Sequence, residues 1–219
     1  MVKKAEFELA SGRVTLLAMR RRHLRAVMRI EDVVYPKPWT LSLFLSELAQ
    51  RDMRAYHVAC SASRIVGYSG LMLAGEEAHV TTIAVDPQWQ RRKVGTCLLA
   101  NMVKVAKSRG SSNLTLEVRV ANKGAQALYF EFGFQPAGIR KNYYSETGED
   151  ALIMWACGID TPEYAERLAG IEARLALSRP PPASSRGPGY VDPGALDRPG
   201  RSGNPWGAAR GGGVIGAGG

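Results

Sequence analysis

The sequence predicts a mixed α/β fold, in which a central mixed sheet is flanked by helices. Apolar strand-like runs alternate with amphipathic helical segments over the first 160 residues. Three strand-like runs follow one another between residues 55 and 85, which indicates a hairpin-rich middle. A chain of 219 residues is long enough for one full domain with a sizeable core. We therefore predict one α/β domain over residues 1–160.

Individual elements follow from the spacing of apolar residues. Residues 23–34, 41–50, 94–109 and 124–132 are predicted to be helices. Residues 13–17, 55–60, 65–74, 78–85, 114–120, 137–144 and 151–159 are predicted to be strands. The second helix places four apolar residues on one predicted buried face: Leu41, Phe44, Leu45 and Leu48. The third has an apolar stripe formed by Val94, Leu98, Met102 and Val105.

The C-terminal part of the chain has a different composition. Residues 161–177 are predicted to form a short helical extension, because Pro162 stands near its start and three apolar residues recur at helical spacing. Residues 178–219 contain 12 glycines and 7 prolines. Because few of these residues are apolar, burial cannot offset the loss of chain entropy on folding. We therefore expect a disordered tail there.

The charge, the apolar runs and the cysteines indicate which partners, location and metal binding to expect. Lysines and arginines number 29 against 20 acidic residues, a net charge of +9, which suits nucleic acid, a polyanionic cofactor or a ribosome-associated task equally well. No apolar run is long enough for a bilayer and no apolar segment follows the charged N-terminus, so we expect a cytoplasmic protein without membrane contact. The three cysteines lack metal-ligand spacing, so we expect free buried thiols and no metal.

The segment from Ile83 to Thr96 carries a first candidate site. An apolar strand, Ile83-Ala84-Val85, ends in Asp-Pro, and a basic loop leads into a helix. A helix N-terminus presents unpaired N–H groups that bind phosphate, and three cationic side chains strengthen that field: Arg91, Arg92 and Lys93. Gly95 allows close backbone approach. A solvated basic turn explains the same residues about equally well.

A second candidate site begins in the strand at residues 114–120. Four apolar residues alternate on one face, and Glu117 lies on the other. From the strand alone, an ion pair with Arg119 or an exposed face explains this carboxylate better than a cleft does. Asn122 suits a helix N-cap, which is a sufficient reason for it. Tyr129 lies two helical turns further along the same face, where core packing is an equal alternative.

Taken together, these segments resemble the GNAT acetyltransferases, and within them the RimI-type enzymes. Residues 90–95 resemble the pyrophosphate loop Q/R-x-x-G-x-G/A, with Lys93 where the family usually has its first glycine. Residues 117–134 resemble the block E-V-R-x-x-N-x-x-A-x-x-L-Y-x-x-x-G-F. Pro38-Trp39 and residues 139–144 and 149–154 resemble the P-W, R-x-N-Y-Y and E-D-A-x-x-M segments of RimI-type proteins. The resemblance covers roughly residues 13–157.

The resemblance implies a cofactor and a set of roles. Acetyl-CoA is the implied co-substrate, its pantetheine arm pairing with the strand Ile83, Ala84 and Val85 and contacting Asn122. Backbone donors for the pyrophosphate are implied at Arg91, Arg92, Lys93, Val94, Gly95 and Thr96. Glu117 is the implied general base and Tyr129 the general acid. The implied substrate is the N-terminal alanine of a small-subunit ribosomal protein, attacked directly without an acyl-enzyme.

Elementary chemistry agrees with an α-amine substrate. An α-amine has a pKa of about 8, so a carboxylate acting through one water can free it at a cost of ~1.4 kcal/mol at pH 7. A phenol is a weaker acid than a thiol, so Tyr129 is better described as a hydrogen-bond donor that transfers its proton late. Four aromatic residues are candidates to line a peptide groove, although ordinary packing explains each equally well: Tyr35, Trp39, Tyr143 and Tyr144.

Two alternatives remain open at this stage. One is a GNAT enzyme that acetylates a lysine or a small-molecule amine. The other is a non-catalytic acetyl-CoA-binding module, for which Lys93 is the argument. Nucleic acid is not expected as a direct substrate, because the arginines between residues 20 and 29 fit a solvated helix face. His23, His57 and His79 show no ligand spacing and receive no role.

Overall fold

An eight-stranded mixed sheet forms the centre of the protein in a computed structural model that describes residues 5–177. The strand order is β1-β2-β3-β4-β5-β6-β8-β7. The strands are β1 (Ala5–Leu9), β2 (Gly12–Ala18), β3 (Arg54–Ser61), β4 (Arg64–Ala74), β5 (Glu77–Val85), β6 (Asn113–Arg119), β7 (Gln135–Tyr144) and β8 (Glu149–Cys157). The helices are α1 (Leu24–Val34), α2 (Leu41–Ala49), α3 (Val94–Ser108), α4 (Lys123–Glu131) and α5 (Pro162–Leu177). The predicted fold class is confirmed.

The predicted elements lie within three residues of their observed bounds, one strand was not predicted, and two local predictions fail. Strand β1 was not predicted, because two glutamates interrupt its apolar pattern and only pairing with β2 fixes it as a strand. Leu41 was placed on the buried face of α2, but half of it is exposed, whereas Phe44 is fully buried. Cys157 is exposed rather than buried. The predicted tail, residues 178–219, lies outside the described residues.

Helices cover both faces of the sheet. Helix α3 is buried along most of its length and packs with α4 and α5 on one face. Helices α1 and α2 pack on the other face. Helix α5 is tied to the first layer because the Tyr164 hydroxyl donates to the Phe132 carbonyl over 2.7 Å and Ile171 is buried. None of these helices combines the length and apolar composition that a membrane crossing requires.

Strands β5 and β6 are the only parallel pair among the described strands, and they separate partway along their length. Their pairing ends at Val80↔Leu116, although β5 continues to Val85. At the same point the pairing of β4 with β5 shifts register, which leaves Thr81 as an extra residue. A β-bulge bends its strand and increases the local twist. The bulge therefore turns β5 away from β6, and a gap opens between their C-terminal halves.

A glycine opposite the bulge makes room for the side chain that supports it. A Cβ atom at Gly70 would lie 2.3 Å from the ring of Tyr56. The Tyr56 hydroxyl donates to Glu47 over 2.7 Å and lies 3.3 Å from the Thr81 hydroxyl. The extra residue also changes the side-chain alternation of β5. Both Val80, before the bulge, and Ile83, after it, pack on the α3 side of the sheet.

The loop between α1 and α2 is held by a buried carboxylate. Glu31 is 2% exposed, and its Oε1 accepts a hydrogen bond from the Trp39 backbone N–H over 2.9 Å. The Glu31 Oε2 is buried with no hydrogen-bond partner among residues 5–177. Burial raises the pKa of Glu31 to about 7. The Trp39 ring packs on Phe44, with 5.3 Å between the ring centroids. The loop is thus anchored to both helices.

We expect the stability of the protein to fall between about pH 4.3 and about pH 7 because of Glu31. Its pKa is about 4.3 in an unfolded chain and about 7 in the folded state, so folding favours the protonated form. That contribution is complete below pH 4.3 and is lost as the pH rises to 7, by at most ~4 kcal/mol. Glu31→Gln is neutral at every pH and should lose this part of the pH dependence.

The measurement is the free energy of unfolding in urea at pH 5, 6, 7 and 8. Glu76→Gln is the matched control, because Glu76 is exposed and its loss should leave the wild-type pH dependence intact. Parallel curves for wild type and Glu31→Gln would show that Glu31 is not desolvated in solution.

Candidate active site

The backbone of β5 presents free edges to the gap. The Asp86 N–H donates to the Val66 carbonyl over 2.9 Å, so Asp86 and Ala84 direct their backbone groups towards β4. By alternation, the N–H and C=O groups of Ile83 and Val85 face the gap. Of the three predicted cofactor contacts in this strand, Ile83 and Val85 therefore offer backbone hydrogen bonds to a ligand, while those of Ala84 are used inside the sheet.

Side chains from the flanking loops cover the two free carbonyls. The Tyr35 hydroxyl donates to the Ile83 carbonyl and lies beside the Thr82 hydroxyl, each over 3.1 Å. The Gln90 amide donates to the Val85 carbonyl over 3.4 Å. These contacts satisfy backbone groups that the bulge removes from the β5–β6 ladder. An extended ligand in the gap would replace them with its own donors.

The loop after β5 presents unpaired donors and positive charge. The N–H groups of residues 91–96 make no hydrogen bond within the described chain, and the first helical bond runs from Cys97 to the Lys93 carbonyl. Arg91, Arg92 and Lys93 are all exposed. Val94 and Thr96 are buried. The N-terminus of α3 therefore has the donors and the field that bind an anionic group.

Two residues of this loop adopt the left-handed backbone conformation. The φ angle is +60° at Arg91 and +63° at Lys93. Such a φ costs a non-glycine residue roughly 1–2 kcal/mol. Lys93 occupies the position where the resembled motif has glycine. The left-handed φ at this position explains why the motif has glycine there, because glycine adopts it without strain. At Gly95 a Cβ atom would only touch Leu128 at 3.5 Å, so packing alone does not require glycine there.

The Glu117 carboxylate lies on the face of β6 opposite its buried apolar residues and is held between a histidine and an arginine side chain. Its Oε2 is 3.1 Å from His79 Nε2, and its Oε1 is 3.2 Å from an Arg140 guanidinium nitrogen. The Glu117 side chain is only 9% exposed. The ion pair with Arg119 that the sequence left open does not form, because Arg119 contacts Glu146 over 2.7 Å and also contacts Glu149.

His79 is a member of the site that the sequence analysis missed. In the parallel ladder His79 is level with Thr115, and Glu117 is the next residue along the same face of β6. Alternation within β5 already separates His79 from the buried Ala78 and Val80, but only the strand register places it beside Glu117. Burial lowers the pKa of His79, and Arg140 lowers it further, while Glu117 acts in the opposite direction.

Tyr129 approaches the site from the opposite layer. It lies on α4, is 8% exposed and packs against Phe134 with 5.7 Å between ring centroids. Its hydroxyl makes no hydrogen bond to a residue in the described range. Burial raises the pKa of Tyr129, and the neighbouring phenols of Tyr35 and Tyr144 raise it further, which shows that the three rings share one region. Tyr129 is therefore a neutral hydrogen-bond donor.

The predicted groove residues divide into two groups. Tyr143 and Tyr144 meet edge to face, 5.1 Å apart, and the Arg119 guanidinium lies 3.9 Å from the Tyr144 ring centroid. Burial raises the pKa of Tyr143, and Glu117 raises it further, so this hairpin borders the carboxylate. Trp39 instead packs against α2, as described above. The Asn122 side chain accepts a hydrogen bond from the Ala125 N–H over 3.0 Å and so caps α4.

The arrangement combines an extended binding edge, an anion site and a carboxylate at one gap. A ligand with a pyrophosphate and a linear amide arm fits the first two features. Within residues 5–177, no cluster of His, Cys, Asp or Glu could hold a metal ion. The protein groups available for proton transfer at the gap are Glu117, His79 and the phenols.

Comparison with known proteins agrees with this geometry. Residues 24–134 match the model of the acetyltransferase (GNAT) family. A putative [ribosomal protein bS18]-alanine N-acetyltransferase of Bacillus subtilis is 40% identical over 137 residues, which are 63% of this chain and 91% of that protein. The [ribosomal protein bS18]-alanine N-acetyltransferase of Escherichia coli K12 is 34% identical over 142 residues, covering 64% of this chain and 95% of that protein.

A solved structure shows the same fold. The crystal structure of the ribosomal-protein-S18-alanine N-acetyltransferase from Escherichia coli aligns with a TM-score of 0.61 and 32% identity, over 66% of this chain and 94% of that chain. The family match covers half of the present sequence, and the alignments span nearly the whole length of the relatives. The chain therefore belongs to the GNAT acetyltransferase family and is an N-acetyltransferase that uses acetyl-CoA.

Proposed function

We propose that this enzyme transfers the acetyl group of acetyl-CoA to the α-amine of a protein N-terminus, with the N-terminal alanine of a small-subunit ribosomal protein as substrate. The observation that carries the proposal is the Glu117 carboxylate, held at the mouth of the gap beside the Tyr143–Tyr144 hairpin. The names of the relatives support the choice of an alanine on protein bS18. A ribosomal-protein substrate implies a cytoplasmic reaction.

Acetyl-CoA is proposed to lie along the gap. Its pantetheine arm would pair with Ile83 and Val85 in place of the Tyr35 and Gln90 contacts. Its pyrophosphate would take the free N–H groups of residues 91–96, and Arg91, Arg92 and Lys93 would stabilise its charge. This arrangement brings the thioester to the point where β5 and β6 separate, between Glu117 on one face and Tyr129 on the other.

The reaction needs a base and a donor near the thioester. The substrate amine loses one proton to become a nucleophile and a second one as the amide forms. We assign general-base catalysis to Glu117, which acts through a water molecule. The neutral Tyr129 hydroxyl is assigned as the hydrogen-bond donor to the departing sulfur. The amine attacks the thioester carbonyl directly, and no acyl-enzyme forms.

Lys93→Gly tests the anion loop. Glycine removes the left-handed strain at this position, so we expect an increase in stability of roughly 1 kcal/mol. The backbone donors remain, so acetyl-CoA affinity should change by less than about tenfold, or ~1.4 kcal/mol. Lys93→Ala is the matched control, because it removes the ammonium and keeps the strain. Titration calorimetry and urea unfolding measure both effects. Cofactor binding that appears only in Lys93→Gly would contradict the proposed loop.

Glu117→Gln tests the base. We expect kcat to fall by roughly 10²–10⁴, because the amide cannot accept a proton at neutral pH. Acetyl-CoA affinity should stay unchanged, since the carboxylate is not assigned to the cofactor. Glu77→Gln, at an exposed carboxylate at the start of β5, should leave turnover at the wild-type level. Wild-type turnover of Glu117→Gln between pH 6 and pH 9 would remove the assignment.

A pair of peptides tests the substrate. The α-amine and the lysine amine differ by about 2.4 pKa units, or ~3.3 kcal/mol of deprotonation at neutral pH. Peptides with a free N-terminal alanine should therefore have a kcat/KM at least ~100-fold higher than the same peptides with a blocked N-terminus and an internal lysine. This ratio is smaller than the full difference in deprotonation energy, because positioning of the lysine amine can offset part of it. Fragmentation mass spectrometry locates the modified nitrogen. Equal rates, or modification mainly at lysine, would assign the enzyme to another amine.

A further inference from the structure

We propose that His79 takes the first proton of the substrate ammonium, while Glu117 orients the imidazole and takes the second proton during attack. The inference rests on the proposed function, in which the nucleophile is an α-amine. His79 is the nearest titratable partner of the base and lies on the adjacent strand, on the same face of the sheet. Histidine is the residue whose proton affinity is closest to that of an α-amine among the groups at the gap.

The contact with Glu117 fixes which imidazole nitrogen is free. A carboxylate can only accept hydrogen bonds, so the His79 Nε2, 3.1 Å from Oε2, carries the hydrogen. In the neutral ring the Nδ1 then has the lone pair. Nδ1 has no hydrogen-bond partner within residues 5–177, and it is not among the fully buried atoms that lack one. With 23% of the His79 side chain exposed, this nitrogen can be reached by water or by an amine.

Burial keeps the His79 ring neutral in the free enzyme, and the Glu117 carboxylate stabilises the ring when it is protonated. Burial lowers the pKa of His79 against the opposing effect of Glu117, and Arg140 lowers it further, so the imidazole is unprotonated at neutral pH and available as a base. Tyr143 borders the same pair and is uncharged. When the imidazole gains a proton, the imidazolium lies in contact with the Glu117 carboxylate. The same geometry in other enzymes lets a carboxylate hold a histidine base in one tautomer.

The proton affinities of His79 and Glu117 determine which of the two amine protons each residue takes. An unperturbed imidazole, with a pKa of about 6.5, is closer to an ammonium of pKa about 8 than an unperturbed carboxylate of pKa about 4.3 is, and each unit of mismatch is a factor of ten. The amine proton of the tetrahedral adduct is much more acidic, so a carboxylate accepts it readily. His79 thus matches the first proton and Glu117 the second.

The proposed reaction moves two protons from the amine to the enzyme and the acetyl group from sulfur to nitrogen. The ammonium N–H bond breaks, and its proton passes through water to His79 Nδ1. The free amine attacks the thioester carbonyl and forms the C–N bond. Glu117 takes one N–H proton of the adduct, the C–S bond breaks, and the electron pair leaves with sulfur beside the Tyr129 hydroxyl. The thiolate takes a proton from solvent, and His79 and Glu117 return theirs to solvent.

His79→Gln separates this role from simple support of Glu117. The glutamine amide can donate to Glu117 from near the Nε2 position, but it has no nitrogen that accepts a proton. We expect kcat/KM for an Ala-initial peptide to fall by roughly 10²–10³ at pH 6. The loss should shrink about tenfold per pH unit up to pH 8, as the free amine becomes abundant. The acetyl-CoA affinity of the same preparation establishes that the variant is folded. The same kcat/KM values are measured for His79→Asn, the other amide variant.

A substrate that needs no deprotonation provides the second test. An aminooxyacetyl peptide has an amine that is already unprotonated at neutral pH. His79→Gln should acetylate it within about threefold of the wild-type rate, whereas Glu117→Gln should stay slow because it still lacks the second proton acceptor. A loss that is equal at every pH and for both substrates would make His79 a structural support and overturn the inference. A loss of less than threefold at pH 6 would overturn it as well.

Failure of the proposed function gives a different result. If wild type does not acetylate the α-amine of the Ala-initial peptide, the proposed substrate class is wrong. The proposed role of His79 is then also wrong, because it requires an α-amine substrate. If wild type acetylates that amine and His79→Gln keeps the wild-type pH profile, only the role of His79 is wrong.

Discussion

One extra residue in β5 is the constraint on which the rest of this site depends. Without the bulge at Thr81, the parallel ladder of β5 and β6 would continue, and the backbone edges of Ile83 and Val85 would be used inside the sheet. With it, the strands diverge and a gap opens beside Glu117. A buried carbonyl without a partner costs roughly 1–3 kcal/mol, so the free enzyme needs substitutes. Tyr35 and Gln90 supply them.

The Tyr35 contact links the proposed cofactor site to the proposed peptide side of the enzyme. Tyr35 belongs to the loop that Glu31 and Trp39 anchor between α1 and α2. A ligand that takes over the Ile83 carbonyl releases the Tyr35 hydroxyl into the space where the peptide end is proposed to lie. If acetyl-CoA binds as proposed, its binding and the shape of the proposed peptide groove are coupled through this one hydrogen bond.

Two nearly buried carboxylates in this protein have different surroundings and different uses. Glu31 receives one backbone N–H and no cation within the described residues, and burial raises its pKa to about 7. Glu117 is placed between His79 and Arg140 at the edge of a cleft. The first carboxylate serves to hold a loop. The second has a charged partner, a neutral imidazole and access to solvent, which the proposed proton transfer requires.

The amino-acid sequence by itself determined the fold class, nearly all element positions and the family. Hydrophobic periodicity places each helix and most strands, and Glu117, Tyr129 and the basic loop are recognisable from local motifs. The contacts of Glu117 could not be predicted from local motifs. Its pairing with His79 requires the parallel register, and its pairing with Arg140 requires the order β6-β8-β7. Neither is encoded by spacing along the chain.

Tertiary structure also decided the conformation of individual residues. Lys93 appears in the sequence only as a departure from a motif, while its left-handed φ explains both the motif and the cost of departing from it. Leu41 and Phe44 have the same periodicity, and only packing against Tyr56 and Tyr68 determines which is buried. Local patterns report which face of an element is apolar. Contacts between distant strands and helices decide which polar groups meet, because register and bulges depend on the whole sheet.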